Sequence, residues 1–580
     1  MKKSKGLRKR KSPTPEQLKK REQKAHIKNY RTLFQKLGFV HIPTDGTEFN
    51  YQGRTGELDD IFIFENIILL VEYTIGKSDT SHLARKKILY DLILQDTEAF
   101  LNFAIEKFAK FQPAMNQLFP QSTYKIRILY ASKNDPSSEL EDTCPDIHFI
   151  YGARAKYFQL LVKTIERSAR IEFLKFLELQ HDEVGEAAIS SNHSPIVYNG
   201  FLLPDGNSSY PSDYKIVSFY ADPERLMDRC YVLRRDGWRD ESHLYQRILI
   251  QEKIKQMRKY LTEEKRVFIN NVIVTLPSET TLNEIESTGR NIPRNDLGRV
   301  RPVEIQIPDG FDMIGLVDGQ HRVFCYHEGS DRAEAEIKIL RKRQNLMITG
   351  IVYPVNVSVQ DKRSFEARLF LEINDNQARA RSSLKQDIEL IIRPYSGIAI
   401  AKRVVQELGK RGPYKGMLQN SYFDSPNKIK TSSIVSYGLR PLVKLDGIDS
   451  LFSAWNNPRK NELKDAKGND RLDLLEEYIS FCTLKINEFF IEAKLAFQNG
   501  DWDIDAKPRS PLLSPTAING LIVCLRRIIE NKHALTMDAH KSSLVGLDKI
   551  EFSSFKSSQW QRLGGEIYTK HFAGAADPGP

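Results

Sequence analysis

Arg54-Thr-Gly-Glu57-Leu-Asp59-Asp60-Ile-Phe-Ile-Phe64-Glu-Asn-Ile67-Ile-Leu-Leu-Val71-Glu72-Tyr-Thr74 holds two apolar runs of strand length on either side of the turn pair Glu65-Asn66. This pattern predicts a β-hairpin. Folding at residues 65–66 sets Asp59 nearly opposite Glu72, at the open end of the hairpin. Two carboxylates brought together beside an apolar core repel each other, and burying them is costly unless a cation neutralises them. A hard divalent cation takes one or two carboxylates plus phosphate oxygens, so the pair is a candidate metal site.

Outward from the hairpin, the chain reads as an α/β protein of several domains. Residues 1–14 carry no periodicity. A helix pattern then runs through Leu18, Ile27, Tyr30, Leu33, Phe34 and Leu37 to Gly38, a common residue at helix C-termini. After the hairpin a helix is predicted from Ser81 to about Phe111, followed by strands at 124–130 and 147–151. The Gly-, Ser-, Asn- and Pro-rich stretch 185–213 predicts a linker or exposed loop. Beyond it lies a second α/β segment, with strands at 216–219, 272–276, 313–317 and 350–357. Pro354 predicts an edge position for the last of these. Residues 396–580 predict a helical region, clearest at 434–445, 472–497 and 516–529. The expected division is therefore 1–14, 15–180, 181–213, 214–395 and 396–580.

A metal at Asp59 and Glu72 would activate water and clamp the scissile phosphate of a nucleic acid. The stretch resembles the PD-(D/E)XK nuclease superfamily, the restriction-endonuclease-like fold, whose element order is helix, three-stranded meander, helix, strand. The Gly56-Glu57-Leu58-Asp59 start and the Val71-Glu72 ending carry the likeness. The resemblance implies Asp59 and Glu72 as ligands of Mg2+ or Mn2+, Glu57 and Glu22 as accessory ligands, and DNA as substrate. The family's lysine, two residues after the glutamate, is Thr74 here. Lys77, Lys86 and Lys87 are alternative sources of the catalytic positive charge, with Lys86 the first choice.

A second motif, Asp318-Gly319-Gln320-His321-Arg322, follows the apolar run 313–317 and precedes a helix-like run. Such a junction presents free backbone N–H groups to an anion, and glycine permits a tight turn. Arginine can grip a phosphate with two parallel hydrogen bonds. Residues 214–390 resemble the DGQHR-domain family, whose DndB branch is associated with DNA phosphorothioation. Tyr245-Gln246-Arg247, the asparagine-led run 270–276 and Ile373-Asn374-Asp375-Asn376-Gln377 support the likeness. The fold is thought to be related to the ParB/sulfiredoxin group. The resemblance implies ATP or another nucleotide at Asp318, Gly319, Gln320, His321 and Arg322, with Arg247, Asn374 and Gln377 as further candidates. Gln320 stands where sulfiredoxin has its cysteine, which argues against sulfinic-acid chemistry.

Net charge is +11, and most of the excess sits near the start. Lys2, Lys3, Arg8, Lys9, Arg10 and Lys11 form a basic arm that predicts DNA backbone contact by counterion release. The five cysteines form no CxxC pair, which predicts buried thiols rather than a disulfide or zinc framework. No apolar run approaches the ~18 residues of a membrane span, so a cytoplasmic protein is expected. Three activities remain open: a nucleotide-regulated DNA nuclease of a modification or anti-phage system, a non-catalytic DNA-binding regulator, and an ATPase licensing DNA modification. Other proteins of such a system, or further copies of the chain, are the expected protein partners.

Overall fold

A computed structural model describes residues 14–574 except 45, 77–79, 137, 191–193, 204, 212, 235–237, 239–245, 247, 286–299, 376–381, 421–422 and 469. It is an α/β structure of two compact units, one of residues 1–232 and 248–357, the other of 233–247 and 358–580. Among the described residues no helix is long and apolar enough to cross a membrane.

The first unit begins with helix α1 (Pro15–Lys36) and strands β1 (Val40–Pro43), β2 (Phe49–Tyr51), β3 (Arg54–Gly56), β4 (Asp60–Phe64) and β5 (Ile67–Thr74). Helix α2 (Thr80–Gln95) and strands β6 (Lys125–Ser132) and β7 (Ile147–Ile150) follow. β2 and β3 pair only with each other, and the remaining strands form a sheet ordered β1-β4-β5-β6-β7. β1, β4 and β5 are an antiparallel meander, whereas β5, β6 and β7 run parallel. β5 is buried nearly throughout, as a central strand covered on both faces requires. Its alternation sends Ile68 and Leu70 into the core shared with Leu83, Leu89 and Tyr90 of α2. On the other face Phe34 of α1 packs edge-on against Phe62 of β4, ring centroids 4.9 Å apart.

The rest of the first unit adds β8 (Ile196–Leu203), β9 (Lys215–Ala221), β10 (Cys230–Tyr231), β11 (Val272–Leu276), β12 (Thr281–Glu284), β13 (Arg301–Ile307), β14 (Ile314–Asp318) and β15 (Leu346–Val352). They form one sheet ordered β10-β14-β11-β15-β9-β8-β13-β12. Two expectations need correction here. The stretch 181–213 is not merely a linker, because β8 lies in it and pairs with both β9 and β13. Ile196, Tyr198, Gly200 and Leu202 alternate inward along β8, a period-2 signal hidden among turn formers. Nor is the strand around Gly350 an edge: β15 ends at Val352, before Pro354, and pairs with both β11 and β9. The two sheets are tied together by Arg167 on Glu328 at 2.6 Å, by Lys175 on Asp312, and by the Glu328 amide donating to Ser168 Oγ.

The second unit is helical, as expected of residues 396–580, and its described helices begin already with Val359–Asp375. The helices expected at 472–497 and 516–529 are Leu472–Ala496 and Pro515–Glu530. The one expected at 434–445 is a π-helical turn, Ile434–Leu439, continued by Arg440–Val443. One core holds them, with Tyr414, Tyr478, Ile486 and Leu521 fully or almost fully buried.

Candidate functional site

The hairpin register brings the two acids together. Asp60 pairs with Val71, so Asp59 stands level with Glu72 one step further, and Asp59 Oδ2 accepts from the Tyr73 amide at 2.8 Å. Strand alternation points Glu72 toward α2. There Glu72 Oε2 accepts from Lys86 Nζ at 2.5 Å and from the Tyr90 hydroxyl at 3.2 Å. Lys86 and Tyr90 lie four residues apart, on one helix face. Gly56 permits the approach, because a Cβ there would lie 2.5 Å from Leu89 Cδ2 of α2. Lys86 Nζ also stands 3.7 Å from Glu57 Oε1, and the Glu57 side chain is 44% exposed, at the rim.

The electrostatics are those of a strained site. Burial, and next the Asp59 charge, push the Glu72 carboxyl up to about 7, against the pull of Lys86 and Tyr90. Burial also raises Asp59, opposed by the Tyr73 amide and by Lys86. The neighbouring acid behaves oppositely. Burial alone would raise Asp60, but hydrogen bonds from His41 and Arg31 outweigh it and hold its carboxyl low. His41 Nε2 lies 2.6 Å from Asp60 Oδ1, and Arg31 grips both oxygens at 2.7 and 2.9 Å. Asp60 thus anchors α1 and β1 to β4, while Asp59 on the other face is left under stress.

Glu22, an expected accessory ligand, is instead ion-paired with Lys133. Lys87 pairs with Asp91 at 2.8 Å, and among the described residues Lys86 is the lysine that reaches Glu72. Among the described residues, no group of three or more His, Cys, Asp or Glu forms a metal-holding cluster. The donors that would meet a hard cation are the Asp59 and Glu72 carboxylates, and their mutual repulsion is the stress such an ion relieves. Tyr90 was not foreseen, although its spacing from Lys86 is visible in the sequence.

The second motif is a strand–turn–helix junction. Gly319 (φ +100°) caps the short helix Gln320–Phe324, and a Cβ on it would meet Val272 at 3.0 Å. Arg322 Nη2 donates to Asp318 Oδ2 at 2.8 Å and to the Asn271 carbonyl at 3.0 Å. Its Nε is buried and has no hydrogen-bond partner among the described residues. His321 Nε2 accepts from the Ile250 amide at 3.1 Å, which assigns the ring proton to Nδ1. Gln320 is buried. Cys325 is buried too, and burial raises its thiol far above the usual range, so it is no nucleophile. None of the five cysteines forms a disulfide.

The following loop depends on a network that sequence reading missed. Arg258 is buried on the helix Gln251–Glu264, where it binds Asp331 at 2.8 Å and the His327 carbonyl at 2.8 Å. Arg341 binds the Tyr326 and His327 carbonyls and Glu334. The basic arm (Lys2, Lys3, Arg8, Lys9, Arg10, Lys11), Lys77, Arg247 and Gln377 lie outside the described residues, as does the side chain of Asn374. Gln246 is described, and its amide donates to the Leu233 carbonyl at 2.9 Å. The chain matches no protein-family model, no curated protein and no solved structure.

Proposed function

We propose that this protein is a metal-dependent DNA nuclease whose cutting site is Asp59, Glu72 and Lys86, governed by a nucleotide at residues 318–322. The carrying observation is the buried Glu72 carboxyl, pushed up to about 7 beside Asp59 and answered, among the described residues, by Lys86. Perturbed carboxyls with a specific charge partner concentrate at functional sites. When bound by Asp59 and Glu72, with Glu57 at the rim, Mg2+ or Mn2+ would supply activated water and a clamp on the phosphate. Lys86 supplies the positive charge that balances the phosphoryl group as negative charge develops on it. Tyr90 holds the Glu72 carboxylate in place while Lys86 exchanges partners.

Nucleotide binding at the second motif is supported by Arg322 Nε, buried beside the Gly319 turn with no hydrogen-bond partner among the described residues. The setting in DNA modification or anti-phage defence rests on the resemblance of residues 214–390. One observation favours a second reading, a non-catalytic DNA-binding regulator. Lys86 and Tyr90 already satisfy Glu72 Oε2 from within the chain, so the acid pair is partly neutralised without an ion. One experiment separates the readings: plasmid DNA is incubated with the protein in Mg2+ or Mn2+, with and without ATP, beside Glu72→Ala. The nuclease reading expects cutting by the wild type, modulated by ATP and lost in the variant. Equal cutting by both proteins sinks it, and DNA binding without cutting by either favours the regulator. ATP turnover lost in Arg322→Ala, without any DNA cutting, would favour the licensing ATPase.

A further inference from the structure

α1 is longer than its packing requires. Its buried residues are Tyr30, Leu33 and Phe34, all in its C-terminal half. Residues 15–25 are exposed at every position, yet they are helical. A helix that is polar all round survives only on local support or through something it bridges. The local support is present. Thr14 and Gln17 form a reciprocal capping box, Pro15 occupies the first turn, and Lys20 bridges Glu16 at 2.8 Å.

The direction of the projection is set by three contacts. Tyr30 OH donates to the Ile150 carbonyl at the end of β7, and His26 Nε2 lies 2.9 Å from the Ala131 carbonyl near the end of β6. Glu22 pairs with Lys133, just past β6. Ala131 pairs with Tyr73, the residue after Glu72, so the level of His26 is the level of the acid pair. Residues 15–24 therefore lie at and past the strand ends at the level of the acid pair, on the face opposite the one toward which Glu72 points, and reach about 10 Å beyond Glu22. This segment carries Lys19, Lys20, Arg21 and Lys24 against Glu16 and Glu22. Glu22 pairs with Lys133 and Glu16 with Lys20, which leaves a positive excess along the segment. Leu18 is the one large apolar side chain exposed there, too little for a membrane-binding face.

We infer that residues 15–24 are a rigid backbone clamp for duplex DNA, gripping phosphates beside the Asp59–Glu72 site. The inference rests on the reading of that site as DNA-acting, but binding and cutting fail separately. The test uses the full chain carrying Lys19→Gln, Lys20→Gln, Arg21→Gln and Lys24→Gln, with a short fluorescent DNA duplex titrated over a salt series. A matched control carries Lys107→Gln, Lys110→Gln, Lys549→Gln and Lys556→Gln, all exposed and away from the clamp segment in sequence. The clamp variant should lose affinity at least about tenfold, and the slope of log K against log salt should flatten by about 3. Its melting temperature should stay that of the wild type, and the control should bind normally. Wild-type binding by the clamp variant, or an equal loss in the control, overturns the clamp. If the clamp variant loses binding while the wild type cuts no DNA in Mg2+ or Mn2+, the clamp stands and the nuclease reading falls.

Discussion

Replacing Glu72 with glutamine should stabilise the protein while abolishing its activity. Glutamine keeps the acceptor oxygen for Lys86 Nζ and Tyr90 OH but carries no charge to bury beside Asp59. The carboxyl rises from its ordinary 4.5 to about 7 in the folded chain. At about 1.4 kcal/mol per pH unit, the ionised form therefore costs the fold about 3 kcal/mol above pH 7. The sign follows from the direction. A raised carboxyl binds its proton more tightly when folded, so its contribution is fully present below 4.5 and is lost as the pH rises through 7. Glu72→Gln should thus gain up to about 3 kcal/mol at pH 8 and almost nothing at pH 4.5. Urea denaturation at both values, followed by amide hydrogen exchange of β4 and β5, reads the difference in the first unit, whose residues include no tryptophan. A variant destabilised equally at the two pH values would show that Glu72 and Lys86 are a net-favourable structural ion pair, and the reasoning from strain would fail.

Lys86→Met should reduce cleavage by about 100-fold. It should also destabilise the fold by about 3 kcal/mol at pH 8, because an uncompensated buried carboxylate remains; stability unchanged at pH 8 in a denaturation series would refute this. Gly319→Ala should cost about 2 kcal/mol, since its φ of +100° and the Val272 methyls at 3.0 and 3.1 Å both oppose a side chain. Calorimetric ATP titration of that variant should show weakened binding as Arg322 is displaced. In the second unit, burial holds the His540 imidazole down to about 4, and its Nδ1 has no hydrogen-bond partner among the described residues. A depressed histidine contributes stability that is full above 6.5 and is lost as the pH falls toward 4. His540→Leu should flatten that acid slope in thermal melts, and an unaltered slope would contradict the assignment.

The candidate site was largely legible because its parts are close in sequence and obey simple periods. A two-residue turn between apolar runs fixes the register, and the register alone places Asp59 against Glu72. Lys86 lies on the next helix, at a distance a short connection allows. What escaped reading depended on partners far along the chain. β1 is short, half-exposed and ends in proline, and only its pairing with β4 makes it a strand. Arg258 and Arg341 meet the carbonyls of residues 325–327 from other helices, and nothing local marks either arginine. β8 was obscured because Asn199 and Gly200, read as turn formers, sit in the middle of a strand with neighbours on both sides.

Asp59 and Asp60 show how the fold gives two neighbouring acids opposite surroundings. They are adjacent in sequence, so strand alternation sends them to opposite faces of the same sheet. Asp60 meets a histidine and a bidentate arginine and is held ionised. Asp59 receives one backbone amide and shares a distant lysine with Glu72, and its carboxyl rises. Asp60 is held low by its partners, whereas Asp59 stays raised despite the one it has. The same contrast divides Glu22, consumed by Lys133, from Glu72, whose single ammonium partner does not bring its carboxyl back to the ordinary range. A one-residue slip of the β4–β5 register would exchange the faces, burying Asp59 against Arg31 and turning Asp60 toward Lys86. The Glu65-Asn66 turn, with Asn66 Nδ2 bound to the Thr123 and Glu183 carbonyls and its Oδ1 accepting from the Gly185 amide, is what forbids that slip. Asn66→Ala should therefore disturb the site from the far end of the hairpin, without touching either acid.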